Sequence, residues 1–162
     1  MKLKFALMIT LAGAAAAQTA SPVSLNLVMS LVKTVKVDGK ATEQFAPSPK
    51  TVLPGDVIRQ VVTVRNGSGK ALKNVPVTLP VPKNTRYLAP EKGLDDVRAE
   101  YSIDGKTFAP APLMKKVTVT ENGRSVVKEV EVKPSEYTTV RWTVSELGAD
   151  QTLKLGYRIQ VK

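Results

Sequence analysis

The sequence predicts an all-β chain folded as an antiparallel β-sandwich, and three observations carry that expectation. From Val23 onward apolar residues recur at every second position rather than at the spacing of a helix face. The segments are short and rich in Val and Thr, and Gly, Pro and Asn fall between them. Strand segments at fairly regular spacing with no helical spacers argue for two packed antiparallel sheets. With 162 residues, 43% hydrophobic and 23% charged, the chain is long enough for a real core.

The first segment is an address. Met1-Lys2-Leu3-Lys4 is a short cationic start, residues 5–15 form an apolar run, and Ala15-Ala16-Ala17 stands before Gln18. This pattern predicts a secretory signal peptide over residues 1–17, cleaved after Ala17. The apolar run is well short of the roughly 20 residues that cross a bilayer, and no second one follows. The protein is therefore expected to be exported to the periplasm or outer cell envelope, not membrane-spanning, and still basic after losing Lys2 and Lys4.

Residues 18–50 are expected to hold an N-terminal strand and a Pro-rich link. Val23, Leu25, Leu27, Met29 and Leu31 alternate, which fits either the first sandwich strand or a strand donated to a partner. Asp38-Gly39 is a hairpin turn signal, weakened because the arm after it dissolves into Gln44-Phe45-Ala46-Pro47-Ser48-Pro49. A Pro-punctuated link is expected over residues 46–54 and a looser patch over 82–96.

Residues 51–162 carry the remaining strands. Val75, Val77 and Leu79 alternate, but Pro76 and Pro80 deny the ladder two N–H donors, so this strand belongs at a sheet edge or carries its prolines outward. Asp104-Gly105 is a turn signal that places Tyr101 across from Phe108. Asn122-Gly123 is another, and its two-residue loop pairs Glu121 with Arg124 and Val119 with Val126. That hairpin, over about residues 113–133, is expected to project from the sandwich as an insertion. Val140, the lone Trp142 and Val144 alternate as a core strand, with Trp142 packing inside rather than stacking on a ligand. Leu153, Leu155, Tyr157, Ile159 and Val161 alternate with Lys154, Gly156, Arg158, Gln160 and Lys162, a half-buried strand with a basic outer face.

The order of motifs between Thr51 and Lys162 resembles a bacterial family. Val52-Leu53-Pro54-Gly55-Asp56 precedes a strand ending Val62-Thr63-Val64-Arg65-Asn66 and a Gly-rich turn. Asn74-Val75-Pro76-Val77-Thr78-Leu79-Pro80-Val81-Pro82-Lys83-Asn84-Thr85-Arg86-Tyr87 and Tyr101-Ser102-Ile103-Asp104-Gly105-Lys106-Thr107-Phe108 follow. Together they are similar to the bacterial conserved-repeat surface domain, the eleventh of the numbered domains of unknown function. Leu79 or Pro80 stands near where that family commonly has Asp. The resemblance implies an immunoglobulin-like sandwich in an extracytoplasmic structural or adhesive setting and supplies no catalytic residues. Family members are often tandem repeats, so a single copy suits a subunit of an assembly better than a stalk.

Composition removes much chemistry. The chain has no His and no Cys, which excludes disulfides, cysteine nucleophiles, His-based triads and zinc sites built from those ligands. Ser125 and Lys128 match a Ser-x-x-Lys pattern, but residues three apart in a strand point to opposite faces. Gly67-Ser68-Gly69-Lys70 lacks the first Gly and the final Ser or Thr of a phosphate loop. Asp95, Asp96 and Asp104 lack the spacing of an EF-hand loop and read as solvated carboxylates. Asn66-Gly67-Ser68 is formally a glycosylation sequon, which the bacterial signal pattern makes irrelevant. Nothing in the spacing selects the residues of an intramolecular isopeptide bond.

No enzyme, cofactor or metal is therefore expected. The expected function is a non-catalytic subunit that docks onto an envelope or surface-layer protein complex. The alternative is a basic module for anionic glycan or lipid head groups, since 24 Lys and Arg against 14 Asp and Glu give a net charge of +10. Export and the few aromatics argue against nucleic acid. The candidate partner-binding residues are Leu25, Leu27, Met29 and Leu31 on the first strand, Asn122, Gly123 and Arg124 at the hairpin tip, and Lys154, Arg158 and Lys162 on the last strand.

Overall fold

A computed structural model describes residues 21–47 and 49–162. The signal-peptide segment, residues 1–17, lies outside the described residues. Ten strands follow one another: β1 (Val23–Val37), β2 (Lys40–Pro47), β3 (Val57–Asn66), β4 (Leu72–Pro80), β5 (Thr85–Pro90), β6 (Ala99–Ser102), β7 (Met114–Glu121), β8 (Arg124–Glu131), β9 (Thr139–Leu147) and β10 (Thr152–Val161). A single 3₁₀ turn, Pro134–Glu136, separates β8 from β9.

The strands form a five-stranded sheet ordered β2-β1-β3-β10-β5, a three-stranded sheet ordered β4-β9-β6, and the separate hairpin β7-β8, with antiparallel pairing throughout. The two larger sheets enclose one core. Ile58, Val62 and Val64 of β3 and Leu153, Leu155, Tyr157 and Ile159 of β10 face Val77 and Leu79 of β4 and Val140, Trp142 and Val144 of β9. The sandwich is immunoglobulin-like in its two antiparallel layers, and its last strand lies inside the larger sheet, between β3 and the edge strand β5. Alternation works as a signal here because each sheet has one face on the core.

β4 is an edge strand, as its prolines require. The hairpin β7-β8 has the register read from its turn, Glu121 across from Arg124 and Val119 across from Val126. Asn122 and Gly123 both take positive φ, 50° and 76°, the conformation an Asn-Gly turn supplies at low cost. Glu121 forms its ion pair with Lys128, two rungs down, rather than with Arg124. The hairpin pairs with no other described strand and is anchored at its base, where the Val132 N–H donates to the Leu113 carbonyl at 2.8 Å and Val132 is fully buried.

Three expectations need correction. The arm after Asp38-Gly39 does not dissolve: Lys40 to Pro47 pairs with β1 as strand β2. The patch over residues 82–96 contains the edge strand β5. Tyr101 pairs with Ala109, not Phe108, because Asp104 does not sit in a two-residue turn. Its carboxylate accepts the N–H groups of Lys106 and Thr107, both at 2.8 Å, and so widens the loop. Phe108 lies instead with its ring 4.1 Å from the Arg141 guanidinium.

All four tyrosines meet at one end of the core. Tyr87 touches the other three, with ring centres 5.3 to 5.5 Å apart, and its hydroxyl donates to that of Tyr101 at 3.1 Å. The Tyr157 hydroxyl donates to the Pro80 carbonyl at 2.8 Å, tying the two sheets together. Burial pushes the phenols of Tyr87, Tyr137 and Tyr157 above their ordinary range. A folded-state pKa above the unfolded value means stability that is complete at neutral pH and falls once the unfolded phenols ionise, above about pH 10. In an alkaline titration these phenols should stay protonated until the chain unfolds, so phenolate absorbance and loss of strand circular dichroism should rise together. Phenolate appearing at the ordinary midpoint, with strands intact, would contradict this packing.

Candidate functional site

The five-stranded sheet is wider than the three-stranded sheet that covers it, and β1 lies on the uncovered side. On β1 the residues Leu25, Leu27, Met29 and Leu31 stand across from Val64, Val62, Gln60 and Ile58 of β3, all buried. They therefore belong to the core-facing side of the sheet. Yet Leu25 is 55% exposed, Leu27 45% and Met29 43%. An apolar face built for a core has no second layer over this part of its length.

The edge of the same segment is also only partly paired. β3 pairs with β1 from Val23 to Val32 on one side, whereas β2 pairs on the other side only from Ser30 to Val37. Among the described residues, no strand pairs with residues 23–29 on that edge. Beside it runs a groove of about 680 Å³ lined by Leu27, Met29, Ile58, Pro49, Lys50 and Val52, among others. β1 pairs within its own chain, so of the two readings of this segment the structure selects the sandwich strand over a donated one.

A polar clasp on the opposite face holds this arrangement. Arg158 of β10 donates to both carboxylate oxygens of Glu43 on β2, at 2.7 and 2.8 Å, and to both of Glu91, at 2.8 and 3.1 Å. In a flat sheet β2 and β10 would stand about 14 Å apart. They meet because the β1-β2 ribbon coils over the outer face above Ser30, which is buried. Arg59 lies under Phe45, 4.6 Å from the ring centre, and 3.4 Å from Glu91, whose side chain is almost wholly buried. The Arg158 hydrogen bonds hold the Glu43 carboxyl below the usual range, so the clasp is complete at neutral pH and weakens only as acid protonates it. The clasp thus fixes the β1-β2 ribbon over Ser30 to Val37.

The remaining candidates fall on other elements. Leu31 is half-buried between Ala46 and Ile58 and belongs to the paired part of β1. Asn122, Gly123 and Arg124 form the exposed tip of the hairpin. Lys154 is exposed on β10, where its N–H donates to Asp95 Oδ2 at 2.6 Å, and Lys162 is exposed just beyond the end of that strand. Arg158 is not a free cation: both edges of its guanidinium are taken by Glu43 and Glu91. Arg141 is likewise paired, with Glu100 at 2.7 Å. The basic outer face expected of β10 is therefore partly neutralised from within.

Two of the side chains considered for chemistry, Asn66 and Lys128, are engaged structurally. Asn66 is fully buried: Nδ2 donates to the carbonyls of Lys70, Leu147 and Gly148 at 2.7 to 3.0 Å, and Oδ1 accepts from Ser68. It is inaccessible as a sequon. Lys128 is paired with Glu121. Among the described residues no three Asp or Glu come together as a metal site, and no helix is long and apolar enough to cross a membrane. The clasp and the overhang both escaped sequence reasoning. Glu43 and Arg158 lie 115 residues apart, and the overhang depends on the difference in width between two sheets.

Comparison with protein families, curated proteins and solved structures finds no match to this chain.

Proposed function

We propose that this chain is a non-catalytic exported protein of the cell envelope, a structural or accessory subunit that docks onto a larger envelope or surface-layer complex. The observation that carries the reading is the overhang of β1: core-type residues Leu25, Leu27 and Met29 beside an edge with which no described strand pairs. An apolar sheet face of this kind is uncommon on a free monomer and normal at an interface. The signal pattern over residues 1–17 supports export, and the motif order from Thr51 to Lys162 supports an envelope setting.

Binding to anionic glycan or lipid would draw on the net charge of +8 that remains when Lys2 and Lys4 are removed from the +10 of the full chain. Arg158 and Arg141 are withdrawn from such a surface by their glutamates. The two readings differ in salt dependence, because apolar strand docking is salt-tolerant and phosphate or carboxylate binding is not. Crosslinked capture of the tagged protein from native envelopes, washed at low and then high salt, should retain one stoichiometric envelope protein. Heterogeneous glycan or lipid released by high salt would instead assign the basic surface, and a monomer that captures nothing would end the docking reading.

A further inference from the structure

The hairpin β7-β8 has an unused edge. Its Asn122-Gly123 turn has two residues, so Glu121 and Arg124 close it as a hydrogen-bonded pair, and bonded pairs alternate with unbonded ones down the ladder. Glu121, Val119, Val117 and Lys115 therefore turn their backbone groups toward β8. Lys116, Thr118 and Thr120 turn theirs outward, where they bond to no other described backbone group. β7 contains no proline, and the eight rungs it makes with β8 have no third strand beside them among the described residues. A two-stranded hairpin of this kind is marginal in water and gains from a neighbour along its edge.

The strand that fits this edge is β7 itself. Antiparallel pairing of two β7 strands about a two-fold axis at Thr118 sets Val117 across from Val119 of the second copy and Lys115 across from Glu121 of the second copy, each twice. These matched pairs fall at the unbonded positions, where facing side chains stand closest. An axis at Val117 would instead face Lys115 with Val119, and one at Val119 would face Val117 with Glu121. The edge of β8 has no such match, since an axis at Lys128 opposes two lysines and one at Val126 opposes Arg124 with Lys128. Charge permits the approach: Lys115, Lys116, Arg124 and Lys128 are nearly balanced on the hairpin by Glu121, Glu129 and Glu131. Lys115 and Glu121 already pair with Glu136 and Lys128 in the single chain, but these are exposed pairs, weak enough to be shared across a seam. We propose that the hairpin is a self-association surface, joining β7 to β7 of a second copy about Thr118 as a four-stranded antiparallel sheet. The seam is separate from the uncovered face of β1, and Gly123, which leads into β8, lies away from it.

Sedimentation of the protein should show a monomer–dimer equilibrium, and amide exchange at Lys116, Thr118 and Thr120 should slow as the concentration rises. Thr118→Pro should give a monomer with the hairpin intact, because the Thr118 N–H takes no part in the β7-β8 ladder. Val127→Pro blocks the opposite edge in the same way and should still dimerise. Lys115→Glu and Glu121→Lys each set like charges across the seam and should each weaken dimerisation about tenfold. Mixing these two variants should restore it as a heterodimer, a rescue that a folding defect would not give. A wild-type chain that stays monomeric into the millimolar range, a Thr118→Pro variant that dimerises like wild type, loss of the dimer in Val127→Pro, or no rescue on mixing would each overturn the proposal.

Discussion

Replacing Gly156 by alanine is expected to be among the most destabilising single changes in the chain. A Cβ at this position would stand 2.2 Å from the backbone oxygen of Gln60 and 3.1 Å from Leu94 Cδ1. The Leu94 side chain can rotate away, but the Gln60 carbonyl belongs to β3, the neighbour of β10 at the centre of the larger sheet. Relief requires the two strands to spread, with loss of pairing in the middle of the core. Overpacking of a well-packed interior costs about 1–3 kcal/mol and more where backbone must move. We expect about 3 kcal/mol or more, a fall in Tm on the order of 10 °C. Gly148→Ala is the control, because its Cβ would meet only the end of the Gln151 side chain, at 3.2 Å. Thermal unfolding of the two variants should separate them clearly, and equal Tm values would contradict the close approach of β10 to β3.

Asn66→Asp should be comparably severe, for an electrostatic reason. The Asn66 amide donates to three carbonyl oxygens that close the loops after β3 and β9. A carboxylate would present an oxygen to those carbonyls in a fully buried site, where an uncompensated charge costs several kcal/mol. The carboxyl would therefore be held protonated, with its pKa raised in the folded state. A raised folded pKa gives stability that is retained below the unfolded value and lost as pH rises. The Asp variant should be least stable at neutral pH and recover part of its Tm toward pH 4, while Asn66→Ala, which leaves the carbonyls unpaired but adds no charge, should lose about 2–3 kcal/mol with little pH dependence. An Asp variant as stable as wild type at neutral pH would mean that the three carbonyls find other donors.

Much of the fold was legible because its signals are local. β3, β4, β9 and β10 each place alternate apolar residues on one core, and Asn122-Gly123 alone sets the register of β7-β8. β2 was not legible, since Lys40-Ala41-Thr42-Glu43-Gln44 has no apolar alternation. It is a strand because β1 pairs with it and Arg158 holds Glu43 from across the sheet. The position of Phe108 was misread for a related reason: the Asp104 side chain competes with the backbone turn and shifts the pairing by one residue. Gly156 carried a usable signal, because a glycine inside a strand pattern marks a close backbone approach.

For the candidate site the division is similar. The alternation of Leu25, Leu27 and Met29 was readable, and their exposure was not, because burial of one strand depends on how many strands the opposite sheet contains. The charge on Arg158 was readable, and its neutralisation by Glu43 and Glu91 was not. A basic residue in the sequence is a candidate contact only until the fold supplies its carboxylates.

The account stands or falls on what lies against β1 in the envelope. A photo-crosslinking side chain placed at position 27, activated in native envelopes and traced by mass spectrometry, reads that contact directly. The account predicts a single partner protein joined at position 27, and no comparable adduct from the same group at position 123. Adducts that arise only from position 123, or none from position 27 while the protein sits in its native assembly, would contradict it.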